Sequence, residues 1–147
     1  MELTEELQER VDIILHKLKF IEQKPTVACI EVLEPLMIAG TQFAGLITIA
    51  GGITVTGQVI LQDPDIIIIM PNGFSIERTM KEMGQLLQLP GFAGLKAVKN
   101  NHLYIADGAQ YFNDLNRVDL IEILAEIINP KLFVFGYEGA GWIRFVV

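Results

Sequence analysis

Asp63-Pro64-Asp65-Ile66-Ile67-Ile68-Ile69-Met70-Pro71-Asn72-Gly73-Phe74-Ser75-Ile76-Glu77-Arg78-Thr79 is the stretch that decides the fold. Turn residues lead into an unbroken β-branched run, which stops at Pro71 and Gly73 and hands over to a helix whose N-cap is Ser75. A strand without polar alternation has both faces covered, as central parallel strands of α/β domains do. Ile66 to Met70 is therefore read as a central strand with helices above and below. A ligand site on such a sheet belongs beyond the carboxyl ends of the strands, here around Pro71 to Phe74.

The 147 residues suit a single α/β domain, 1–147, able to bury an ordinary core. Its three parts are a long amino-terminal helix within 1–24, a parallel-sheet core over 25–130, and an aromatic, glycine-containing tail over 131–147. Apolar residues make up 51% and the mean hydropathy is +0.41, so membrane insertion is the rival reading. It fails on continuity, because a spanning helix needs roughly 20 apolar residues in succession. The nearest candidate, Met37 to Val55, is broken by Thr41, Gln42, Thr48, Thr54 and four glycines. Eleven basic against eighteen acidic residues give a net charge of −7, without a basic run, which argues against nucleic acid as a partner. The single cysteine, Cys29, lies in an apolar strand and is read as a small core residue rather than a nucleophile. The acidic, amphipathic start lacks the pattern of a secretory signal, so the expected location is the cytoplasm.

In chain order, Thr4 to Gln23 reads as a helix capped by Thr4, with Leu7, Val11, Ile14, Leu18 and Ile21 as its apolar stripe. Thr26 to Val32 is the first strand. Glu34-Pro35 is expected to open a helix running through Leu36, Met37, Phe43 and Ile49 to Gly51-Gly52. Ile53 to Val55 is a short strand, and Thr56 is expected to cap a brief helix over Gln58 to Gln62. After the central strand, Ile76 to Leu89 is a helix with Met80, Met83, Leu86 and Leu87 inward. Phe92 to Val98 reads as a loop or short turn carrying apolar anchors, His102 to Ala106 as the fourth strand, and Arg117 to Ile128 as the last helix. The tail from Leu132 to Val147 reads equally as a hairpin or an irregular extension, and as a surface for a partner. Four strand-helix alternations predict a three-layer αβα sandwich, flavodoxin-like, with a mostly parallel sheet in the order 2-1-3-4 and an optional extra carboxy-terminal strand.

The turn after the first strand, Glu31-Val32-Leu33-Glu34-Pro35, has no glycine-rich phosphate cradle, which excludes a dinucleotide or flavodoxin site. Met70-Pro71-Asn72 lacks the aspartate of a phosphoacceptor. His16 and His102 lie far apart and are read as surface or strand-edge residues, so no metal site is expected. Glu31 and Glu34 could form an acid-base pair, but the bland reading, one strand-end residue and one helix first-turn acid, is favoured. No convergent catalytic set emerges, and no enzyme activity is expected. The strand ends do collect Glu31, Asn72, Phe74, Asp107, Tyr111, Phe112 and Asn113, a rim suited to a flat ligand or to half of an interface.

Several segments together resemble a known family: Pro25-Thr26-Val27-Ala28-Cys29-Ile30-Glu31, Glu34-Pro35-Leu36-Met37-Ile38-Ala39-Gly40, Ala50-Gly51-Gly52, Asp63-Pro64-Asp65-Ile66 with Met70-Pro71-Asn72-Gly73-Phe74, Glu77-Arg78-Thr79, Tyr111-Phe112-Asn113 and Phe135-Gly136-Tyr137-Glu138-Gly139. The combination is similar to the carboxy-terminal lobe of cobalamin-binding-type periplasmic solute-binding proteins, the helical-backbone class that serves ABC importers. The resemblance implies cobalamin, haem or a siderophore as ligand, an ABC importer as partner, and the opening helix as the rod joining two lobes. The departures fall at the ligand-facing ends: Val32, Thr41-Gln42, Asn72 and Asp114-Leu115-Asn116 stand where the family has other residues. Loss there, with the scaffold kept, implies an isolated lobe, truncated or engineered. Such a lobe would bind ligand weakly or not at all, unless two copies pair through the tail or the amino-terminal helix and rebuild a cleft.

Overall fold

In the computed structural model, which describes residues 3–33, 36–38 and 41–147, the elements are α1 (Glu5–Leu18), β1 (Thr26–Leu33), β2 (Leu36–Ile38), α2 (Thr41–Ile49), β3 (Ile53–Thr54), α3 (Val59–Gln62), β4 (Ile66–Ile69), α4 (Ile76–Leu87), α5 (Lys96–Lys99), β5 (Leu103–Ala106), α6 (Gly108–Tyr111), a 3-10 turn at Asp114–Asn116, α7 (Arg117–Ile128) and β6 (Trp142–Arg144). The strands lie in the order β2-β1-β4-β5-β6, and β3 pairs with the start of β1. β3, β1, β4 and β5 run parallel, which is the order expected from the sequence. β2 and β6 extend the sheet as antiparallel strands.

Strand periodicity divides the core in two. Val27, Cys29, Ile66, Ile68, Met70, Tyr104 and Ala106 point into a cluster with α1, α2 and α7. Their neighbours Ala28, Ile30, Ile67, Ile69, Leu103 and Ile105 point the other way, into a cluster with α3, α4 and α5. Alternate residues of an isoleucine run thus serve opposite layers, which is why the run shows no polar alternation. Val11, Ile14 and Leu18 are the buried stripe of α1, and Leu7 and Ile21 pack at its margins. Thr4 and Ser75 cap α1 and α4 through bonds accepted from the Leu7 and Arg78 amides.

Several expectations need correction. Leu36–Ile38 is not helical: it pairs along the edge of β1, where an apolar run gains backbone hydrogen bonds, and α2 starts only at Thr41. Glu34 and Pro35, and with them the Glu31–Glu34 pair, lie outside the described residues. α1 ends at Leu18 rather than Gln23, its last turn tightening into bonds from Lys19, Phe20 and Ile21 to the carbonyls three residues back. α3 begins after Gln58 with no side-chain cap, so Thr56 does not cap it. On α4 the buried stripe is Thr79, Met83 and Leu86, which leaves Met80 exposed one position off it. Thr79 is tolerated in the core because its hydroxyl donates to the Ser75 carbonyl at 2.9 Å. A short helix, α5, takes up the end of the Phe92–Val98 segment, and a second, α6, follows β5 where no element is expected. Of the alternatives open for the tail, the extra carboxy-terminal strand is the one formed: β6 pairs along the edge of β5.

Candidate functional site

The carboxyl ends of β1, β4 and β5 open on one edge of the sheet, and a groove of about 610 Å³ lies there, open to solvent. β1 contributes Glu31 through an irregularity in its pairing. Ile30 stands opposite Ile38 and Val32 opposite Met37, so Glu31 is the extra residue of a β-bulge. Bulges re-aim a side chain at a sheet edge, and this one sets Glu31 in the lining of the groove. β4 runs into a tight turn in which the Phe74 amide donates to the Pro71 carbonyl at 3.1 Å. Gly73 takes a φ of +83° in that turn, a conformation that glycine adopts without strain. Asn72 and Phe74 line the groove as a result, and α4 supplies Glu82, Gln85 and Leu86 as the opposite wall.

A close backbone contact anchors this turn. Gly108, at the start of α6, approaches Pro71 so nearly that a Cβ there would lie 2.0 Å from the Pro71 carbonyl oxygen. The Ala109 amide donates to the Phe74 carbonyl at 2.9 Å and the Gly73 amide to Gly108 at 3.4 Å. Phe74 is braced from the other side by Arg78, whose guanidinium sits 4.1 Å from the ring centre.

The seven rim residues therefore separate into two groups. Glu31, Asn72 and Phe74 come together in the groove. Asp107, Tyr111, Phe112 and Asn113 stand outside its lining, where Tyr111 and Phe112 pack against the α1-α2-α7 cluster. Asp107 accepts from the Gln110 amide at 3.0 Å and caps α6, and Asn113 accepts from the Asn116 amide at 3.0 Å and caps the 3-10 turn. Tyr111 meets Tyr137 edge to face at 6.0 Å.

Sequence reasoning missed a carboxylate network on α7. Glu122 and Glu126, 6% and 3% exposed, sit among the buried apolar residues of α7 from Leu120 to Ile128. Glu126 accepts from the amides of Phe135, Gly136 and Tyr137 and from the Trp142 indole at 2.6 to 3.2 Å, fixing the tail against the body. Glu122 pairs with Arg10 of α1 and accepts from the Tyr137 hydroxyl at 2.9 Å; Asp119 pairs with Arg10 at 2.6 Å. The Tyr137 phenol is pushed upward, first by burial and then by its bond to Glu122. The signal was present in the sequence as two glutamates four apart inside an apolar helix, since a buried carboxylate must find donors. Cys29 is fully buried, and burial pushes its thiol well above the ordinary value, so it is a core residue. Among the described residues no group of three or more His, Cys, Asp or Glu side chains is placed to hold a metal ion, and no helix is long and apolar enough to cross a membrane.

The chain has the fold found in TroA-like periplasmic binding proteins. It matches the TroA-like protein FepB of Veillonella parvula with a TM-score of 0.68 at 22% identity, covering 86% of this chain and 46% of that one. An ABC transporter substrate-binding protein of Listeria monocytogenes gives a TM-score of 0.73 at 19% identity, covering 85% of this chain and 55% of the other. IsdE of S. aureus, solved with heme, gives 0.71 at 20% identity, with 84% and 55% covered. The chain thus spans about half the length of the structures it matches. The first is a periplasmic binding protein and the second an ABC transporter substrate-binding protein. No protein-family model matches the chain, and no curated protein matches it.

Proposed function

We propose that this chain is one lobe of a solute-binding protein, the carboxy-terminal one, and that its groove is half of a ligand cleft. The observation that carries this reading is the open groove at the carboxyl ends of β1 and β4, on a fold that aligns with about half of each matched solute-binding protein. A bulky amphipathic solute such as cobalamin or haem, held by one wall, keeps its other face in water and forfeits much of its contact area. Alone, the lobe binds such solutes weakly. The likeness implies an ABC importer as the partner of the whole assembly. Titration of cobalamin or haem into the monomer, followed by absorbance and melting temperature, tests this: no saturation below about millimolar concentration is expected. One-to-one binding in the micromolar range would contradict it.

A second reading, in which two copies pair and rebuild a cleft, draws support from large apolar side chains left in water. Phe20, just after α1, is 76% exposed and Val134 in the tail 83%, and Ile13 of α1 is half exposed. Light scattering over a wide concentration range separates the two, since a purely monomeric protein at high concentration excludes pairing.

A further inference from the structure

We propose that the groove selects a cationic solute, a flat apolar body bearing a positive charge that Glu31 and Glu82 meet; this rests on the groove being a ligand site. Three observations converge. The apolar part of the lining, Val32, Leu33, Phe74 and Leu86 among it, offers a surface for an uncharged body. The charged side chains of the described lining are Glu31 and Glu82, with no lysine or arginine among them. Neither glutamate makes a hydrogen bond or an ion pair with any described residue, although both are partly buried.

The contrast with the rest of the molecule gives that absence its meaning. Glu122 and Glu126 on α7 are answered by a guanidinium, backbone amides, an indole and a phenol. A partly desolvated carboxylate that no described residue answers carries a cost that a bound cation relieves, and in an apolar setting the attraction is screened less than at an open surface. Arg78 makes no ion pair with Glu31 or Glu82: it stacks its guanidinium on the Phe74 ring, beside the groove but outside its lining. The net charge of −7 adds a long-range pull in the same direction. An anionic solute meets the opposite field.

Two fluorogenic dyes of similar shape and opposite charge test the proposal: thioflavin T, a flat cation, and anilinonaphthalenesulfonate, a flat anion. Thioflavin T is expected to bind once per chain and at least about tenfold more tightly than the anion, weakening as salt is raised. Glu31→Gln with Glu82→Gln should weaken thioflavin T by about tenfold and leave the anion unchanged or improved. Glu82→Gln alone, on the partly exposed face of α4, carries the same expectation at about threefold if the double variant does not fold. Gln85→Trp, which fills the groove, should abolish binding. If the anion binds as tightly as the cation and Gln85→Trp removes both, the groove stands as a site and the charge preference is overturned. If Gln85→Trp leaves both dyes bound, they sit elsewhere and the groove itself fails as a ligand site; if neither dye binds, the charge preference is overturned while the half-cleft reading stands.

Discussion

Two sets of partly or fully buried carboxylates behave in opposite ways in this molecule. On α7, Glu122 and Glu126 are deeply buried, and each is met by several donors from α1 or the tail. At the strand ends, Glu31 and Glu82 are less buried, and no described residue answers them. The first set is architecture, holding the helix layer and the tail together. The second faces an open groove. The difference teaches that a carboxylate's role here is read from its partners rather than from its burial.

The comparison can be broken most forcefully at Glu126. Glu126→Ala removes the acceptor of three amides and an indole, and with hydrogen bonds to a charged group contributing about 1.5–3 kcal/mol each before relaxation, a loss of about 3 kcal/mol or more is expected in urea unfolding. The tail should then become the first segment to exchange its amide hydrogens. A change under about 1 kcal/mol would show that the tail holds without this anchor.

Next in size is Gly108→Ala, which drives a methyl into the Pro71 carbonyl. The backbone must move, at about 2–3 kcal/mol, and because the same contact positions Asn72 and Phe74, dye binding in the groove should suffer together with stability. Unchanged binding in a destabilised Gly108→Ala protein would uncouple the turn from the groove.

A smaller effect is expected at the opposite end of the sheet. Asp65 accepts from the Thr26 amide and hydroxyl at 2.9 and 3.1 Å and pairs with Lys96, and its carboxyl is held below the ordinary value of 3.8, chiefly by the Thr26 amide. A depressed folded-state value means that the stabilisation is present above pH 3.8 and is lost as pH falls through the lower folded-state value. Asp65→Asn should flatten the acid limb of a stability-against-pH curve in that window. Because the pair is about half exposed, the change is modest. An identical acid limb in both proteins would remove Asp65 from the account.

The smallest effect sharpens the comparison best. Glu31→Gln and Glu82→Gln, which break no described bond, should each leave unfolding free energy within about 0.5 kcal/mol or raise it slightly. A loss comparable to that at Glu126 would mean that these carboxylates are structural too.

Much of this was legible in the sequence, for reasons that particular residues make clear. The isoleucine run gave the central strand because burial on both faces leaves no other reading, and Ser75 and Thr4 gave helix starts because an orphan amide needs an acceptor. Leu36–Ile38 was misread because a three-residue apolar run has no period of its own; only pairing with β1 makes it a strand. The bulge that aims Glu31 depends on that same pairing, and so was invisible. The residues after β5 follow a strand end just as Asn72 does, and the sequence does not tell a cap such as Asp107 from a residue that lines the groove such as Asn72. The Glu126 anchor joins residues nine to sixteen positions apart, a closure that no local pattern announces.

Amide chemical-shift mapping during a thioflavin T titration locates the bound dye on the molecule. The groove account predicts that the shifts cluster at Glu31, Asn72, Phe74 and Gln85 and spare the α7-tail network. Shifts centred on Asp107, Tyr111 and Tyr137, with the groove silent, would contradict it.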